Sequence, residues 1–498
     1  MKRLTKKQMW IFAIGQLGWS ILGGIINACL IAFYLPTSEK VDGKEVFSGT
    51  KIAFFNIMDP RLLILGVISI LGLITALCRV WDAVSDPVIA NLSDNSRNPK
   101  GRRMPFMRFA AIPFALITLL VFMAPSLFYG GQEPTGWNIA WVAIMLVLFY
   151  TFMTIYCTPY NALISEFGKT QEDRMFISTA ISLTYFAGTL LAYTPYVTAG
   201  LFASKVGFYW SYIISFAPLI VIACVAMLIP TFCLKETDFV ESKPANSNAF
   251  KSLAKTFKNK DFRVFTASDL MYWIGLTLFQ TGLPFFVVVS MKLTTFYTTV
   301  FMGVMTVLSA AFYPFVTKLV KKFGKKKLVI AGFLGLSLAY LITALINVLS
   351  FIPGIVLGFV ICVVAAFPMS LLGIIPQSIV ADVAEADSVD SGEKREGMFF
   401  AARTFAMKLG QSIAMLVFTT FAIIGSTASF EELRQSTQLR PNTTGLMIAG
   451  FAAVAFCVAG AVILLFYNEK KVMKKIAKAG DESFLEAVEN DKVPVENK

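Results

Sequence analysis

Histidine is wholly absent from this chain of 498 residues. Its absence removes the Ser-His-Asp arrangement, histidine metal sites and histidine proton relays. Charge is scarce as well. Asp, Glu, Lys and Arg make up 15% of the residues, whereas a soluble protein with a large water-facing surface carries about a quarter. Soluble globular classes are therefore excluded. Seven cysteines (Cys29, Cys78, Cys157, Cys224, Cys233, Cys362 and Cys457) lie singly inside apolar segments. None has the paired spacing of a zinc or thiol redox site, and they read as small core residues. There is no phosphate-loop string and no nucleophile beside a base, which argues against an intramembrane enzyme. The basic start MKRLTKKQ is followed by a run too long for a signal peptide and by no A-x-A-like site, so it is expected to flank a first membrane span.

What is abundant is apolar sequence, 56% of the chain. It falls in stretches of 20 or more residues, each able to cross about 30 Å of hydrocarbon. Reading these between polar breaks gives twelve spans, near 9–35, 61–92, 106–127, 138–165, 176–200, 208–234, 264–291, 298–320, 328–349, 354–381, 398–424 and 444–467. The fold class is an all-α polytopic membrane protein in two six-helix halves. The N-terminal half covers 1–234, a cytoplasmic linker 235–263, the C-terminal half 264–467 and a cytoplasmic tail 468–498. With both termini inside, 31 of the 44 Lys and Arg fall in inside loops and tails and 7 in outside loops. That asymmetry sets a cytoplasmic orientation for both termini and accounts for the net charge of +13 without a nucleic-acid partner. In the linker, Phe250, Leu253, Ala254 and Phe257 fall at i, i+3, i+4 and i+7 among lysines, the pattern of an interfacial amphipathic helix. The outside segment from Pro36 to Pro60 is read as a long loop. The basic turns SDNSRNPKGRRMP and VKKFGKKKL occupy corresponding places in the two halves. Such duplication resembles the major facilitator superfamily, where substrate binds between the halves.

Ionisable residues inside the membrane are costly and mark function. In CRVWDAVSDPVIANLSD, Arg79, Asp82 and Asp86 are spaced i, i+3 and i+7 and share one helix face. The two carboxylates can converge on one cation while Arg79 offsets part of their charge. The alternative is a structural ion-pair cluster that locks two helices. Pro87 frees the carbonyl of Ala83 as a further ligand. In the eleventh span, Arg403 and Lys408 are five residues apart, and Lys408 is too deep to snorkel. Asp269, Asp382 and Glu166 sit near span ends, where capping or loop ion pairs are expected.

Four segments carry a resemblance to a family: RVWDAVSDPVIANLSDNSRNPKGRRMPF, TIYCTPYNALISEFGKTQEDR, ADVAEADSVDSGEKREG and FFAARTFAMKLGQ. Together they resemble the glycoside-pentoside-hexuronide:cation symporters, of which melibiose permease is the best known. The resemblance implies that Asp82 and Asp86 bind the coupling cation, with Thr154 contributing and the two aspartates acting as metal ligands if the ion is sodium. It implies that Lys408 lies between the cation and substrate sites. Trp19, Ser20, Arg79, Cys157, Asn161, Arg403 and Thr404 would line the substrate site. Glu166, Arg174, Asp382, Arg395 and Glu396 would form a cytoplasmic gate of ion pairs across the halves. Melibiose permease has aspartates where this chain has Ser20 and Cys157, and a glutamine where it has Arg403, so galactoside recognition does not transfer. An anionic substrate held by Arg403 is one expectation drawn from that loss of acids; the other is that Arg403 pairs with a protein carboxylate or leans toward the cytoplasmic end.

The leading expectation is a secondary active symporter of a sugar, glycoside or sugar acid, monomeric, multi-pass in the cell membrane and without a cofactor other than its coupling ion. Two carboxylates with a hydroxyl suit sodium, and a desolvated aspartate can carry a proton instead. A lysophospholipid carrier on the same fold and a non-transporting sensor are the rival readings.

Overall fold

The computed structural model describes residues 3–34, 37–41, 44–48, 63–64, 68–124, 136–168, 171–206, 208–239, 255–391, 396–422 and 443–476. Twelve helical passes carry the fold. They are α1 (Lys6–Tyr34), α2 (Ile70–Asp94), α3 (Met104–Val121), α4 (Gly136–Phe167), α5 (Gln171–Ala192, continued by Pro195–Val206), α6 (Phe208–Cys233), α7 (Lys260–Phe285), α8 (Phe296–Phe323), α9 (Lys325–Ala344), α10 (Gly354–Ser391), α11 (Glu396–Phe421) and α12 (Thr443–Leu464). Ten are long and apolar enough to cross a membrane by length and composition. The other two, α2 and α11, are those that carry the charges singled out above. The outward faces are apolar, as Phe109, Ile112 and Leu116 on α3 and Val458 and Val462 on α12 illustrate. In hydrocarbon only a helix satisfies its own backbone, which is why these segments adopt no other form.

Packing divides the helices into two groups of six. α1 packs on α5 and α6, and α3 on α4 and α6. In the second group α7 packs on α11 and α12, and α9 on α10 and α12. Between the groups, α2 lies along α11, while α1 meets α7 and α5 meets α8.

The two basic turns prove equivalent in detail. Gly101 (φ +121°) precedes α3 and Gly324 (φ +81°) precedes α9. Both occupy the left-handed region that only glycine enters cheaply. The helix that follows each turn presents unpaired N–H groups, and a glutamate just beyond the sixth helix of the same half accepts them. Glu236 accepts from the amides of Arg102, Arg103 and Met104 at 3.0, 2.9 and 2.9 Å. Glu469 accepts from those of Lys325 and Lys326 at 2.8 and 3.0 Å. At the start of α7, Asn259 caps the helix by accepting from the Phe262 amide at 3.1 Å.

Two expectations are corrected, and the fifth span shows a break that was not expected. The second span begins at Ile70 rather than 61, because the apolar run ahead of it, rich in β-branched residues and interrupted by Gly66, forms the antiparallel pair β3 (Leu63–Ile64) and β4 (Ile68–Ser69). The segment read as a plain loop holds a hairpin, β1 (Thr37–Val41) with β2 (Lys44–Ser48), in which Val41 pairs with Lys44 across Asp42 and Gly43. An Asp-Gly pair between extended residues is the usual hairpin signal. α5 breaks after Ala192, ahead of Pro195. Of the amphipathic stretch in the linker, Phe250, Leu253 and Ala254 lie outside the described residues.

Candidate functional site

α2 and α4 present matched pairs. Asp82 and Asp86 are four residues apart on α2, as are Thr154 and Thr158 on α4, so each pair occupies one face and the two faces meet. The Thr154 hydroxyl donates to Asp82 Oδ1 at 2.9 Å, and that of Thr158 donates to Asp86 Oδ1 at 3.1 Å. Prolines follow Asp86 and Thr158 directly, and each withholds an amide from the helix ladder, leaving the carbonyls of Ala83 and Ile155 without their usual donors. Two carboxylates and two hydroxyls thus gather on one seam. Ser85 adds its hydroxyl, 3.1 Å from that of Thr154.

Across the halves, Lys408 of α11 enters this oxygen cluster. Its ammonium donates to Asp82 Oδ1 at 2.8 Å and to Asp86 Oδ2 at 2.7 Å. Asp82 is fully buried and Lys408 nearly so. One helical turn along, Ser412 donates to the carbonyl of Ala76 at 2.8 Å and pins α11 to α2. Arg79 completes the seam. One guanidinium nitrogen is 3.9 Å from Asp82 Oδ2, another donates to Asn27 on α1, and the group lies 4.8 Å over the ring of Tyr150.

A second buried pair lies within the C-terminal half. Arg403 of α11 grips Asp269 of α7 through two bonds, Nε to Oδ2 at 2.9 Å and Nη2 to Oδ1 at 3.1 Å. This fork satisfies the arginine in the geometry a carboxylate fits best. Of the two readings of Arg403, receptor for an anionic substrate or partner of a protein carboxylate, the second describes this pair. Asp269 is no capping residue: α7 starts at Lys260, so Asp269 stands more than two turns inside. The three cations Arg79, Lys408 and Arg403 are thus matched by Asp82, Asp86 and Asp269.

Of the other expected residues, Ser20 is buried, accepts from Gln16 at 2.8 Å and faces Gly188 of α5. That contact takes it out of the oxygen cluster. Cys157 follows Thr154 by one turn, half-buried, and Asn161 follows Cys157 by another, exposed. Thr404 returns its hydroxyl to the Phe400 carbonyl of its own helix at 3.0 Å. Trp19 is half-buried on α1.

Of the expected gate residues, the ion pairs described for Glu166 and Asp382 lie within their own halves. Glu166 binds Arg102 at 2.8 Å and Arg103 at 2.7 Å, both in the turn before α3. Asp382 binds Lys325 at the start of α9. The basic turns fold back on the helices of their own half and bind these acids there. Arg395 lies outside the described residues, as do the side chains of Arg174 and Glu396. Instead, the described cross-half bonds outside the α2–α11 seam lie at the opposite end of the bundle. There Thr299 and Thr295 donate to the carbonyls of Tyr193 and Tyr196, beside the break in α5, at 2.6 and 3.4 Å.

Sequence reasoning missed Thr158, Asn27, Asp269 as the partner of Arg403, and the capping glutamates Glu236 and Glu469. The repeat of four residues in Thr154 and Thr158 against that in Asp82 and Asp86 was the available signal for the first.

Twelve helices in two packed halves, with buried charges on the seam between them, define a membrane transporter of the major facilitator type. Comparison with known proteins places the chain in its family. Residues 64–469 match the model of the MFS/sugar transport protein family, and the chain belongs to it. YagG of Escherichia coli (strain K12), named as a glycoside/cation symporter, is 23% identical over 399 residues, covering 79% of this chain and 81% of that protein. The isoprimeverose transporter of Lactiplantibacillus pentosus is 23% identical over 433 residues, with 82% of each chain covered. Among solved structures, a D-xylose-proton symporter superposes with a TM-score of 0.64 at 15% identity, covering 93% of this chain and 98% of that one. A sodium-dependent lysophosphatidylcholine symporter of Xenopus tropicalis is 34% identical, over 98 residues that make up 19% of this chain and 17% of that protein. The expected resemblance to the glycoside:cation symporters is borne out. The protein is a transporter and not an enzyme.

Proposed function

We propose that this protein carries a sugar or glycoside through the cell membrane as a monomer, driven by sodium, with both termini cytoplasmic and residues 235–263 linking its two halves. The observation that carries the reading is Lys408 from one half bonded to both Asp82 and Asp86 of the other. An ammonium held by two carboxylates occupies the position of a small cation, ringed by oxygens from Thr154 and Thr158. Sodium entering these oxygens displaces Lys408 and leaves its donors unfilled. A substrate oxygen then becomes the acceptor that completes them, so each ligand favours the other, the reciprocity that coupling requires. The names of relatives such as the glycoside/cation symporter and the sodium-dependent lipid symporter support an oxygen-rich substrate and a sodium ion respectively. The lipid reading draws on about a fifth of the chain, whereas the sugar-symporter likenesses run through four fifths of it.

The test is uptake by purified protein in proteoliposomes, with labelled isoprimeverose and methyl glycosides and an imposed sodium gradient. Expected are sodium-stimulated accumulation and counterflow, with the sodium stimulation lost in Asp82→Asn. Stimulation by a proton gradient in sodium-free buffer would reassign the ion. Binding without counterflow would make the protein a sensor.

A further inference from the structure

Among the buried polar groups without a bonding partner in the described protein are two indole N–H groups on the first helices of the two halves. They are the indole N–H of Trp19 on α1 and that of Trp273 on α7, both buried. A buried donor without an acceptor is costly, so its retention calls for a partner in another state of the molecule. The two are equivalent by position: each stands thirteen residues beyond the first residue of its helix. α1 and α7 are the first helices of their halves, and they touch each other.

The surroundings of both point to the same central region. One turn beyond Trp19, a Cβ built at Gly23 would meet nothing within 4 Å, so α1 borders open space on that side. The Cβ of Trp273 lies 3.4 Å from where one at Gly410 would stand, and Gly410 is two residues from Lys408 on α11. Asp269, gripped by Arg403, is one turn before Trp273 on α7. Trp273 therefore stands on the α7–α11 seam, one turn beyond Asp269 and beside Gly410.

The charge balance there restricts what could enter. Arg403 is closed by Asp269, and Arg79 and Lys408 are met by Asp82 and Asp86. While Lys408 is held by both aspartates, an anion would bring charge into a low-dielectric interior with no unmatched cation among the described residues of this region to receive it. Two N–H donors borne on broad apolar rings instead suit a ligand that offers hydroxyl or ring oxygens and C–H faces.

We propose that Trp19 and Trp273 form a twin-donor clamp for an uncharged glycoside, each indole N–H donating to a sugar oxygen when the halves close around it. The existence of a transported substrate rests on the reading above, but the readout here is separate from sodium coupling.

The experiment titrates purified full-length protein by thermal stability and equilibrium binding. The probes are methyl β-D-glucopyranoside, methyl β-D-xylopyranoside, isoprimeverose, methyl β-D-glucuronide and lysophosphatidylcholine. A neutral glycoside is expected to bind best, and Trp19→Phe and Trp273→Phe each to weaken it roughly tenfold, the loss of about one hydrogen bond. Sodium's own stabilisation, measured without sugar, is expected to be unchanged in both variants, which also reports that they fold. A variant keeping Trp273 as its sole tryptophan should change its emission when the glycoside is added. The proposal is overturned if the glucuronide binds more tightly than its matched glucoside or if lysophosphatidylcholine binds best. It is equally overturned if no probe binds or if both Phe variants keep wild-type affinity. Should wild type show no sodium effect while the Phe variants still lose glycoside, the coupling reading fails and the clamp stands.

Discussion

Replacing Lys408 with methionine tests the site most directly, because the substitution keeps length and removes only the ammonium. In the wild-type protein the ammonium makes two charge-assisted bonds, at 2.8 and 2.7 Å, to carboxylates shielded from water. Such bonds contribute about 1.5–3 kcal/mol each, and removing one partner of a buried ion pair costs about 3–5 kcal/mol. Lys408→Met should therefore lower stability in sodium-free buffer by about that amount, leaving Asp82 and Asp86 to repel each other. If Lys408 competes with sodium, the same substitution removes the competitor. Half of the two-bond energy, about 1.5–3 kcal/mol, is returned when the displaced ammonium of the wild-type protein finds other acceptors. The remaining half should appear as roughly ten- to hundredfold tighter sodium binding in the variant. The assay is thermal unfolding against sodium concentration at constant ionic strength, with choline as the balancing cation. Sodium at 100 times its Kd should restore about 2.7 kcal/mol by mass action. A Lys408→Met protein that binds sodium no more tightly than wild type would refute the competition and leave Lys408 a purely structural tie between the halves.

The Arg403–Asp269 fork predicts a strong thermodynamic cycle. Arg403→Gln and Asp269→Asn should each destabilise by about 3–5 kcal/mol, and the double variant should recover most of that in a denaturation series. Glu236→Gln and Glu469→Gln should cost similar amounts, about 1.5–3 kcal/mol each, because the two glutamates cap equivalent helices; a cost confined to one half would break the equivalence. Thr299→Val should loosen the end of the bundle beside Tyr193, read as faster maleimide labelling of a cysteine placed at Thr189 in a cysteine-free background. For orientation, cysteines placed at Ser247 and Ser436 in that background should behave oppositely on intact cells, with an impermeant maleimide labelling only position 436.

The helices were legible in the sequence because a bilayer tolerates little else. An apolar run of twenty residues has few ways to satisfy its backbone in hydrocarbon. Where that constraint lapses, so did the reading. The residues ahead of α2 are as apolar as a span, yet they form short strands, since periodicity does not distinguish a buried strand from the start of a helix. The hairpin around Asp42 and Gly43 carries its own turn signal and was passed over only because loops between spans are usually irregular.

The site divides along a different line, between charges whose cost is written in the sequence and partners whose role depends on where a helix starts. Asp82, Asp86 and Lys408 were legible because an ionisable residue at mid-span needs an explanation. Thr154 and Thr158 carry no such cost: Thr154 is marked by the family resemblance, and Thr158 only by its matched spacing against the aspartates. Asp269 shows how a boundary decides a role. With the seventh span started at residue 264 it sits near a water-exposed end, but the helix starts at Lys260 under an Asn259 cap, which moves it a turn deeper to face Arg403. That one turn changes the chemistry ascribed to Arg403, from a receptor for an anion to half of a neutral pair. It also turns the central region from a site short of negative charge into one in balance. A balanced site can admit a sodium ion only by displacing a cation already present. Lys408 is the one among the three that bridges the halves, so the cation it yields to is also the one that loosens their contact.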